Sequence, residues 1–388
     1  MIIRKITIVP LTAPYTWPHT PPGHWVNGVR NCVWLRIDTD AGVTGWGEAY
    51  CGCYATEVTM AALQRMTRAL VGKAFTEPSP LLAQMRFDIL YWAMRGLGAQ
   101  CTSAVEAALW DIWAQAQGKP LWQMLGDGKP HSVLVYASGG LGTVPPEEIY
   151  EEAKDYAGQG FRAFKIRAGD PDLNPPGNIS RDIERVAAAR EALGPDRMLL
   201  VDLAVPQRPV QWAFEHSAAY AEAIRPYKAR FLEEPALTYD VAMYRRIQAL
   251  GLTPTAGGEC FCTPEEFEPF FAAQALGVAQ PDAAVVGGPA SCVQVMRRAQ
   301  AFGVDIALHA WCAGVGLAQN LHAACSLPNI LVMEYPVTKH RLASEPLREI
   351  WKLKDGYLQA PSQPGLGVVV APELLQSCAF QKDVERNF

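Results

Sequence analysis

The sequence lacks the features that mark membrane proteins and nucleic-acid-binding proteins. Its 388 residues contain no apolar run near the roughly 18 residues that a membrane-spanning helix needs. Charged residues make up only 19%, the formal net charge is −5, and no run of Lys and Arg could contact phosphates. We therefore expect neither a membrane nor a nucleic acid as a partner. Hydrophobic residues, at 49%, suffice for a large core in one big barrel or two domains.

Cysteine is present but not dense. The ten cysteines are scattered through apparent helices and strands, unlike those of a small secreted disulfide scaffold, so we expect a reduced, cytoplasmic protein. Two CxC pairs, Cys51 with Cys53 and Cys260 with Cys262, leave a zinc site as an alternative. Zinc sites usually have longer loops between their ligands, which favours small buried thiols as the interpretation.

Two patterns of secondary structure divide the chain. Residues 1–50 alternate short β-rich runs with turns, and helical patterns follow at 55–71, 79–95 and 100–118, which predicts an α+β domain. Apolar strands then alternate with amphipathic helices, as is typical of a (β/α)₈ barrel. Eight strands are predicted, at 132–138, 162–167, 198–203, 230–235, 253–259, 278–282, 305–310 and 330–334. The irregular sequence after residue 334 is expected to return to the first domain.

Polar side chains end nearly every predicted barrel strand. Because the carboxyl ends of parallel strands meet at one mouth of a barrel, these side chains are natural site candidates. A single carboxylate at such a junction is more often a helix cap or a solvated loop residue, but the repetition favours a site. The candidates are Lys165 and Arg167, Asp202, Glu233 and Glu234, Glu259, Asp282, His309 and Glu334.

Three carboxylates from consecutive strands, Asp202, Glu233 and Glu259, predict a magnesium site. Oxygen ligands without Cys or His suit Mg²⁺, which keeps open positions for water or a chelating substrate. Such an ion can bind a substrate carboxylate and stabilise the dianion that forms when the neighbouring carbon loses its proton. The pattern therefore favours an enzyme that removes a proton next to a carboxylate.

His309 is the candidate base for that proton. Asp282 ends the preceding strand, where it could hold the other imidazole nitrogen, fix the tautomer and raise the basicity. The alternative for a lone histidine at a strand end is a hydrogen-bonded core residue. An aspartate on the adjacent strand and carboxylates opposite favour the catalytic interpretation.

The sequence resembles a known family, the enolase superfamily, in its mandelate racemase-like branch. The stretches that carry the resemblance span nearly the whole chain: VTGWGEA (43–49), AVEAALWDIWAQAQGKPLWQMLG (104–126), FRAFKIRAG (161–169), VDL (201–203), FLEEP (231–235), GGE (257–259), QPD (280–282), ALHAW (307–311), MEY (333–335) and DGYLQAPSQPGLGV (355–368).

The resemblance implies a modified (β/α)₇β barrel at 129–336 under an α+β cap built from 1–128 and completed by 337–388. It implies Asp202, Glu233 and Glu259 as Mg²⁺ ligands and Asp282 with His309 as the catalytic dyad. Glu334 would be the acid that hydrogen-bonds a substrate carboxylate, and Lys165 matches the first lysine of the family's KxK motif. Family members often form symmetric oligomers, so a homo-oligomer is expected.

The sequence departs from the family pattern at three places. Arg167 occupies the position of the second lysine, and because arginine stays protonated it is a poor proton shuttle, which favours a one-base mechanism over racemisation. Ala204 replaces an asparagine that family members often carry after the first metal ligand. Loop 170–180 looks longer than usual and either covers the mouth or is a plain surface excursion.

Two loops of the cap are expected to set substrate specificity. Their candidate substrate-binding residues are Trp17, His19, His24 and Trp25 in the first loop and Tyr50 and Tyr54 in the second. These side chains can hydrogen-bond hydroxyls or enclose an apolar ring. Burial of the two tryptophans against the cap is an equally good interpretation.

The predicted function is dehydration of a sugar acid, with proton removal next to the carboxylate, an enediolate intermediate and loss of the C3 hydroxyl. A cycloisomerase acting on a sugar-acid lactone, or a racemase or epimerase of a 2-hydroxy acid, uses the same first step and stays open as an alternative. From a different class, the chain could be an inactive homologue that only binds a metal or ligand.

Overall fold

The computed structural model describes residues 1–16, 18–19, 28–142, 144–168, 179–207 and 212–382. The N-terminal part is an antiparallel sheet in the order β1-β2-β3, covered by helices. Its elements are β1 (Ile3–Pro14), β2 (Val29–Thr39), β3 (Thr44–Ala49), α1 (Thr56–Thr67), α2 (Pro78–Asp88), α3 (Leu97–Ala116) and α4 (Leu121–Leu125). A Cβ at Gly47 of β3 would lie 1.9 Å from the Ala104 carbonyl oxygen, so glycine there allows α3 to pack directly on the sheet.

Eight parallel strands form the closed barrel that follows. Each pairs with the next along the chain, and the last pairs with the first through Met333 and Val135. The strands are β4 (Val133–Gly139), β5 (Ala163–Arg167), β6 (Met198–Asp202), β7 (Leu232–Glu233), β8 (Thr255–Gly257), β9 (Val278–Ala279), β10 (Asp305–Leu308) and β11 (Val332–Pro336).

Seven helices connect these strands within the described residues. They are α5 (Pro146–Gly158), α6 (Ser180–Leu193), α7 (Phe214–Ile224), α8 (Val241–Gln248), α9 (Glu268–Ala272), α10 (Pro289–Ala301) and α11 (Gly314–Ala324). The (β/α)₇β barrel with an α+β cap is thus confirmed. Since both faces of a parallel sheet are buried, its strands are mainly apolar, and large side chains such as Tyr136 and Phe231 fill one end of the barrel interior.

The C-terminal tail returns to the first sheet, as expected. It contains α12 (Arg341–Leu347), the hairpin β12 (Leu353–Lys354) and β13 (Tyr357–Leu358), and α13 (Pro372–Ser377). Thr12 of β1 donates a backbone hydrogen bond to the Cys378 oxygen at 2.8 Å, and the Trp122 indole donates to the Pro361 oxygen at 2.7 Å. The domain boundaries at 128 and 336 stay predictions.

Several predicted element bounds were wrong. The helix predicted over 79–95 ends at Asp88, and Gly98 then packs so closely that a Cβ there would lie 2.3 Å from the Ala93 Cα. The strand predicted over 230–235 is reduced to Leu232–Glu233, because Glu234 turns away with φ of +46°.

None of the helices among the described residues is both long and apolar enough to cross a bilayer. None of the ten cysteines, all of which lie in the described residues, forms a disulfide.

Glu48 joins the cap to the barrel through the N-terminus of a barrel helix. One carboxylate oxygen accepts from the Ala313 N–H, and the other accepts from the Gly316 N–H and the Trp34 indole, all at 2.8–3.0 Å. The Ala313 and Gly316 N–H groups belong to the first turn of α11, which leaves them without partners inside the helix. A buried carboxylate there also interacts favourably with the helix dipole.

Glu106 of α3 repeats this arrangement at the start of α10. Its oxygens accept from the Ala290 and Ser291 N–H groups at 2.8 and 3.0 Å, and Arg86 donates to it at 3.0 Å. We call the contact formed by Glu48, Glu106 and the barrel helix ends the cap–barrel seam. Its buried charges are satisfied by donors of the protein itself.

Candidate active site

His309 and Asp282 form the predicted dyad at the barrel mouth. His309 follows β10 directly, and its Nδ1 lies 2.7 Å from Asp282 Oδ2. The other Asp282 oxygen accepts from the Ala284 N–H at 2.7 Å and from Asn320 Nδ2 at 2.8 Å. Because Asp282 is held as an acceptor, Nδ1 carries the proton, and Nε2 faces the site.

Two glutamates lie near the free nitrogen of His309. Its Nε2 is 3.8 Å from a Glu259 oxygen and 3.6 Å from a Glu334 oxygen. Burial opposes protonation, but Glu259, Glu334 and Asp282 together raise the pKa of His309 to about 10. Without a counterion, these carboxylates therefore favour the imidazolium form, with protons on both nitrogens. A cation bound to the carboxylates would offset their charge, lower the pKa of His309 and leave Nε2 free to accept a proton.

Lys165 projects from β5 into the same mouth and is fully paired. Its Nζ donates to both oxygens of Glu233 at 2.9 and 3.0 Å and lies 3.5 Å from a Glu334 oxygen. Burial would lower the pKa of Lys165, but Glu233 and Glu334 outweigh it and raise the pKa well above its usual value. Lys165 is thus a fixed cation in this arrangement.

Glu334 is held as a carboxylate. It accepts a 2.6 Å hydrogen bond from Ser138 Oγ and a 2.9 Å bond from the Ala310 N–H. Against the effect of burial, Lys165 and His309 lower the pKa of Glu334 to about 2. An incoming substrate carboxylate would repel this charge and favour a protonated Glu334, which the predicted role as hydrogen-bond donor requires.

The carboxylates predicted to bind metal come from three consecutive strands on one side of the barrel mouth. Asp202 ends β6 and Glu233 ends β7, and Glu259 follows β8. Three ligand atoms within 4.8 Å of one another are found at Glu234, Glu259 and Cys260. Glu233 instead turns both oxygens to Lys165. The assignment of Asp202, Glu233 and Glu259 as ligands stays a prediction.

The donors at this side of the mouth fit a divalent cation. Asp202 is 6% exposed, and its buried Oδ1 has no hydrogen-bond partner within the described part of the chain. Burial, together with repulsion from Asp202, Glu259 and Glu334, raises the pKa of Glu233 to about 8 despite Lys165. A cation would supply the missing partner and relieve this repulsion, and the oxygen-rich donor set suits Mg²⁺.

Arg167 lies beside the same carboxylates. Its Nη2 donates to Gln207 Oε1, and its Nε is 3.9 Å from Asp202 Oδ2. Ala204, at the position where relatives often carry asparagine, has φ of +48° and is buried. Asparagine tolerates this left-handed backbone better than alanine does, so the chain bends here at some energetic cost.

The cap residues predicted to bind substrate separate into three groups. The Tyr50 ring meets His309 edge to face at 5.7 Å between centroids, and its hydroxyl lies 2.8 Å from that of Tyr54. His19 instead hydrogen-bonds Asp155 of α5 at 2.9 Å. Trp17, His24 and Trp25 lie outside the described residues, as does most of loop 170–180. Substrate contact stays a prediction for all six cap residues.

Three residues of the site were not predicted from the sequence in these roles. Ser138 is the next-to-last residue of strand β4, so a search for polar side chains near strand ends could have found it. Asn320 holds Asp282 from within α11, where a polar residue in an apolar helix was the available signal. Glu234 was noted as a strand end but not as a potential ligand, because its inward position depends on the backbone turn at φ of +46°.

Comparisons with known proteins agree with this architecture. Residues 6–126 match the mandelate racemase / muconate lactonizing enzyme N-terminal domain, and residues 148–374 match the enolase C-terminal domain-like family. The chain belongs to the enolase superfamily, in the group that includes mandelate racemase and muconate lactonizing enzyme.

The names of relatives and solved structures include three kinds of activity. The chain is 30% identical to the 3,6-anhydro-alpha-L-galactonate cycloisomerase of Streptomyces coelicolor over 88% of this chain and 90% of that one. It is 28% identical to the D-gluconate dehydratase of Thermoproteus tenax over 89% of this chain and 69% of that one. A racemase structure from Streptomyces coelicolor with bound magnesium superposes with a TM-score of 0.83, at 26% identity, covering 98% and 100% of the two chains.

Proposed function

We propose that this chain is a Mg²⁺-dependent sugar-acid dehydratase with His309 as its single acid–base residue. The observation that carries the proposal is the buried His309–Asp282 dyad, whose free nitrogen faces a mouth lined by carboxylates and Lys165. The names of related dehydratases support a sugar acid as the substrate. The alternative of an inactive binder leaves this dyad without a role.

Lys165 and Arg167 are each held by other side chains of the mouth, and these contacts support a one-base mechanism. Racemisation needs a proton acceptor on each face of the substrate carbon. Lys165 Nζ donates to both Glu233 oxygens, and Arg167 lies between Gln207 and Asp202. Both side chains are therefore cations that can bind the substrate carboxylate but do not accept its proton.

The elimination needs one proton acceptor and one proton donor. His309 Nε2 takes the proton from the carbon next to the carboxylate, and the electrons of that C–H bond pass into the carboxylate to give an enediolate. These electrons then form the C2–C3 double bond as the C3–oxygen bond breaks. The C3 hydroxyl leaves as water with a proton, which the newly protonated His309 can supply. The resulting enol rearranges to a 2-keto-3-deoxy acid, and no oxidant or reductant is required.

The metal, when bound by Asp202, Glu233 and Glu259, would hold the substrate carboxylate and stabilise the negative charge that develops on it. Asp282 fixes His309 in the tautomer that leaves Nε2 free. Ser138 and the Ala310 N–H fix Glu334 beside the position expected for the carboxylate.

A substrate screen tests this proposal. The protein with Mg²⁺ is incubated in D₂O with aldonic acids, aldaric acids and their lactones, and keto-acid formation and deuterium uptake are measured separately. Keto acid from at least one sugar acid is expected, and its formation should stop when Mg²⁺ is chelated. Deuterium uptake with inversion at the α-carbon and no loss of water would indicate an epimerase instead.

A cycloisomerase is the second candidate, since a cycloisomerase relative is 30% identical over 88% of the chain. It would begin with the same proton transfer to His309, so the residues of the dyad do not separate the two reactions. Lactones in the screen, together with anhydro sugar acids added to it, do: a product of unchanged mass with a different bond connectivity supports the cycloisomerase.

Self-association and a cytoplasmic setting also belong to the proposal. Exposed aromatic side chains lie in the last turn of α2 and just after it, with Phe87 at 71%, Tyr91 at 98% and Trp92 at 48% exposure. Such a concentration of apolar surface is typical of a subunit contact. Light scattering should give a mass of two or more chains, and Tyr91→Glu should lower it; a monomer at all concentrations would contradict the expected homo-oligomer.

A further inference from the structure

The loop after β8 places a thiol beside the carboxylates of the mouth. Cys260 directly follows Glu259, and its side chain is exposed. Its Sγ and carboxylate oxygens of Glu234 and Glu259 all lie within 4.8 Å of one another. Gly258, with φ of +111°, makes the turn that carries both residues, and a Cβ there would lie 2.4 Å from the Phe267 ring.

Two further observations point to a ligand at this position. Glu234 is only 3% exposed and lies among the carboxylates of the mouth. Neighbouring Asp202 has a buried oxygen, Oδ1, that lacks a hydrogen-bond partner within the described residues. A buried carboxylate oxygen without a donor is costly, and a cation is the partner that would satisfy it.

The second cysteine of the CxC pair has a different environment. Cys262 is buried, donates a 3.3 Å hydrogen bond to the Cys260 oxygen, and accepts from Gln100 at 3.6 Å. Only Cys260 is therefore near the carboxylates, while Cys262 belongs to the packing between cap and barrel. The two thiols form a matched pair for experiment.

We propose that Cys260 is a sulfur donor at the mouth, and that Cys260, Glu259 and Glu234 together bind a thiophilic divalent cation of the Zn²⁺, Co²⁺ or Cd²⁺ class. On binding, the thiol releases its proton to solvent and the thiolate forms the metal–sulfur bond, without any change of oxidation state. Thiolate ligands favour such cations, whereas Mg²⁺ binds oxygen alone. The inference rests on the proposed function only in that Glu259 would serve both cations.

The consequence is competition between two classes of metal. A thiophilic cation held by Cys260 and Glu259 would withdraw Glu259 from Mg²⁺. We therefore expect Zn²⁺ to inhibit the Mg²⁺-dependent reaction, and to do so less strongly when Cys260 is replaced.

Cobalt(II) titration followed by absorption spectroscopy tests the sulfur donor without any assay of activity. The wild type and Cys262→Ser should develop a thiolate-to-cobalt charge-transfer band, and Cys260→Ser should not. Calorimetric affinity for Zn²⁺ should fall on the order of tenfold or more in Cys260→Ser. A band that persists in Cys260→Ser, or no band in the wild type, would overturn the proposal.

Mg²⁺-dependent turnover separates this inference from the proposed function. Turnover in a wild-type protein that shows no cobalt band would reject Cys260 as a ligand and leave the dehydratase intact. A cobalt band that depends on Cys260 supports the inference whether or not a sugar acid is turned over. Circular dichroism of both variants verifies that each folds.

Discussion

Buried carboxylates occur in two regions of this protein, and their hydrogen-bond partners differ between the two regions. At the cap–barrel seam, Glu48 and Glu106 receive hydrogen bonds from helix N-termini and side chains. At the barrel mouth, Asp202 keeps a buried oxygen without a partner in the described chain, and Glu233 has a pKa of about 8. Burial of charge therefore does not by itself identify a functional site.

The two regions differ in the source of the partners for their buried carboxylates. The seam is complete within the folded chain: burial raises the pKa of Glu48 and of Glu106, and hydrogen bonds from helix N-termini oppose this rise and join the cap to the barrel. The mouth concentrates like charges, and in the proposed function a cation offsets their repulsion. Active sites commonly carry such unfavourable arrangements, which the rest of the fold must hold in place.

Removing one charge from the mouth should separate function from stability. Asp202→Asn should lower Mg²⁺-dependent turnover by at least about a hundredfold, because a proposed metal ligand is lost. In the presence of a chelator the same variant should unfold at an equal or higher temperature, since repulsion from Glu233 is relieved. Turnover assays and thermal unfolding measure the two effects. A large loss of stability in chelator would place Asp202 with the structural carboxylates.

Acidification should lower the stability of the protein, because it protonates His322, a histidine near the cap–barrel seam that is buried in its neutral form. His322 Nδ1 accepts from the Trp122 N–H at 3.0 Å, and Nε2 lies 3.1 Å from the Leu366 oxygen. Burial lowers the pKa of His322 from 6.5 to about 4. Its contribution is therefore present above pH 6.5 and lost as the pH falls toward 4, amounting to about 3 kcal/mol when complete.

Denaturant unfolding between pH 7 and pH 4 measures this loss, with His322→Gln as the comparison. The variant should show a flatter dependence of the free energy of unfolding on pH. Equal slopes in the two proteins would mean that His322 is not held neutral by the fold.

Replacing a carboxylate of the cap–barrel seam should have the opposite effects to Asp202→Asn: stability should fall while metal affinity changes little. Glu48→Gln places an amide NH₂ against N–H donors of α11 or the Trp34 indole, so one buried hydrogen bond is lost. We expect the free energy of unfolding to fall by about 2 kcal/mol, with little change in metal affinity. Glu57→Gln, which alters an exposed pair with Lys382, is the control and should be nearly neutral. Loss of metal binding with unchanged stability in Glu48→Gln would remove the distinction between the regions.

The smallest effect on catalysis is expected for an uncharged contact at the mouth, the one between the Tyr50 and Tyr54 hydroxyls. Tyr50→Phe removes the hydroxyl that pairs with Tyr54 but keeps the ring against His309. We expect kcat and KM to change by less than about fivefold, on the scale of one neutral hydrogen bond. Steady-state kinetics decide this, and a hundredfold fall in kcat would show that the Tyr50 hydroxyl takes part in the chemistry.

The sequence allowed the barrel and most residues of its mouth to be predicted, because both depend on local patterns. Alternating strands and helices define the barrel, and residues such as His309 and Asp282 lie at or next to strand ends, where the topology brings them together. The helix ends bound by Glu48 could not be predicted in this way. Such a contact joins residues 265 positions apart, and no spacing in the sequence records it.

Single backbone angles explain the remaining gaps. The positive φ of Glu234 shortens its strand and turns a second carboxylate toward Glu259 and Cys260. Similarly, the CxC pair at Cys260 could be interpreted only as two equivalent thiols, although the turn at Gly258 exposes one and buries the other.

The central claim is that the mouth removes a proton through His309 alone. The most direct test measures α-deuterium uptake and keto-acid formation in D₂O, with Mg²⁺ and the sugar acid that the screen identifies, for wild type and His309→Asn. Both signals should fall together by about 10²- to 10⁴-fold in the variant, the usual contribution of a general acid–base group. Keto acid formed by His309→Asn at the wild-type rate would contradict the account.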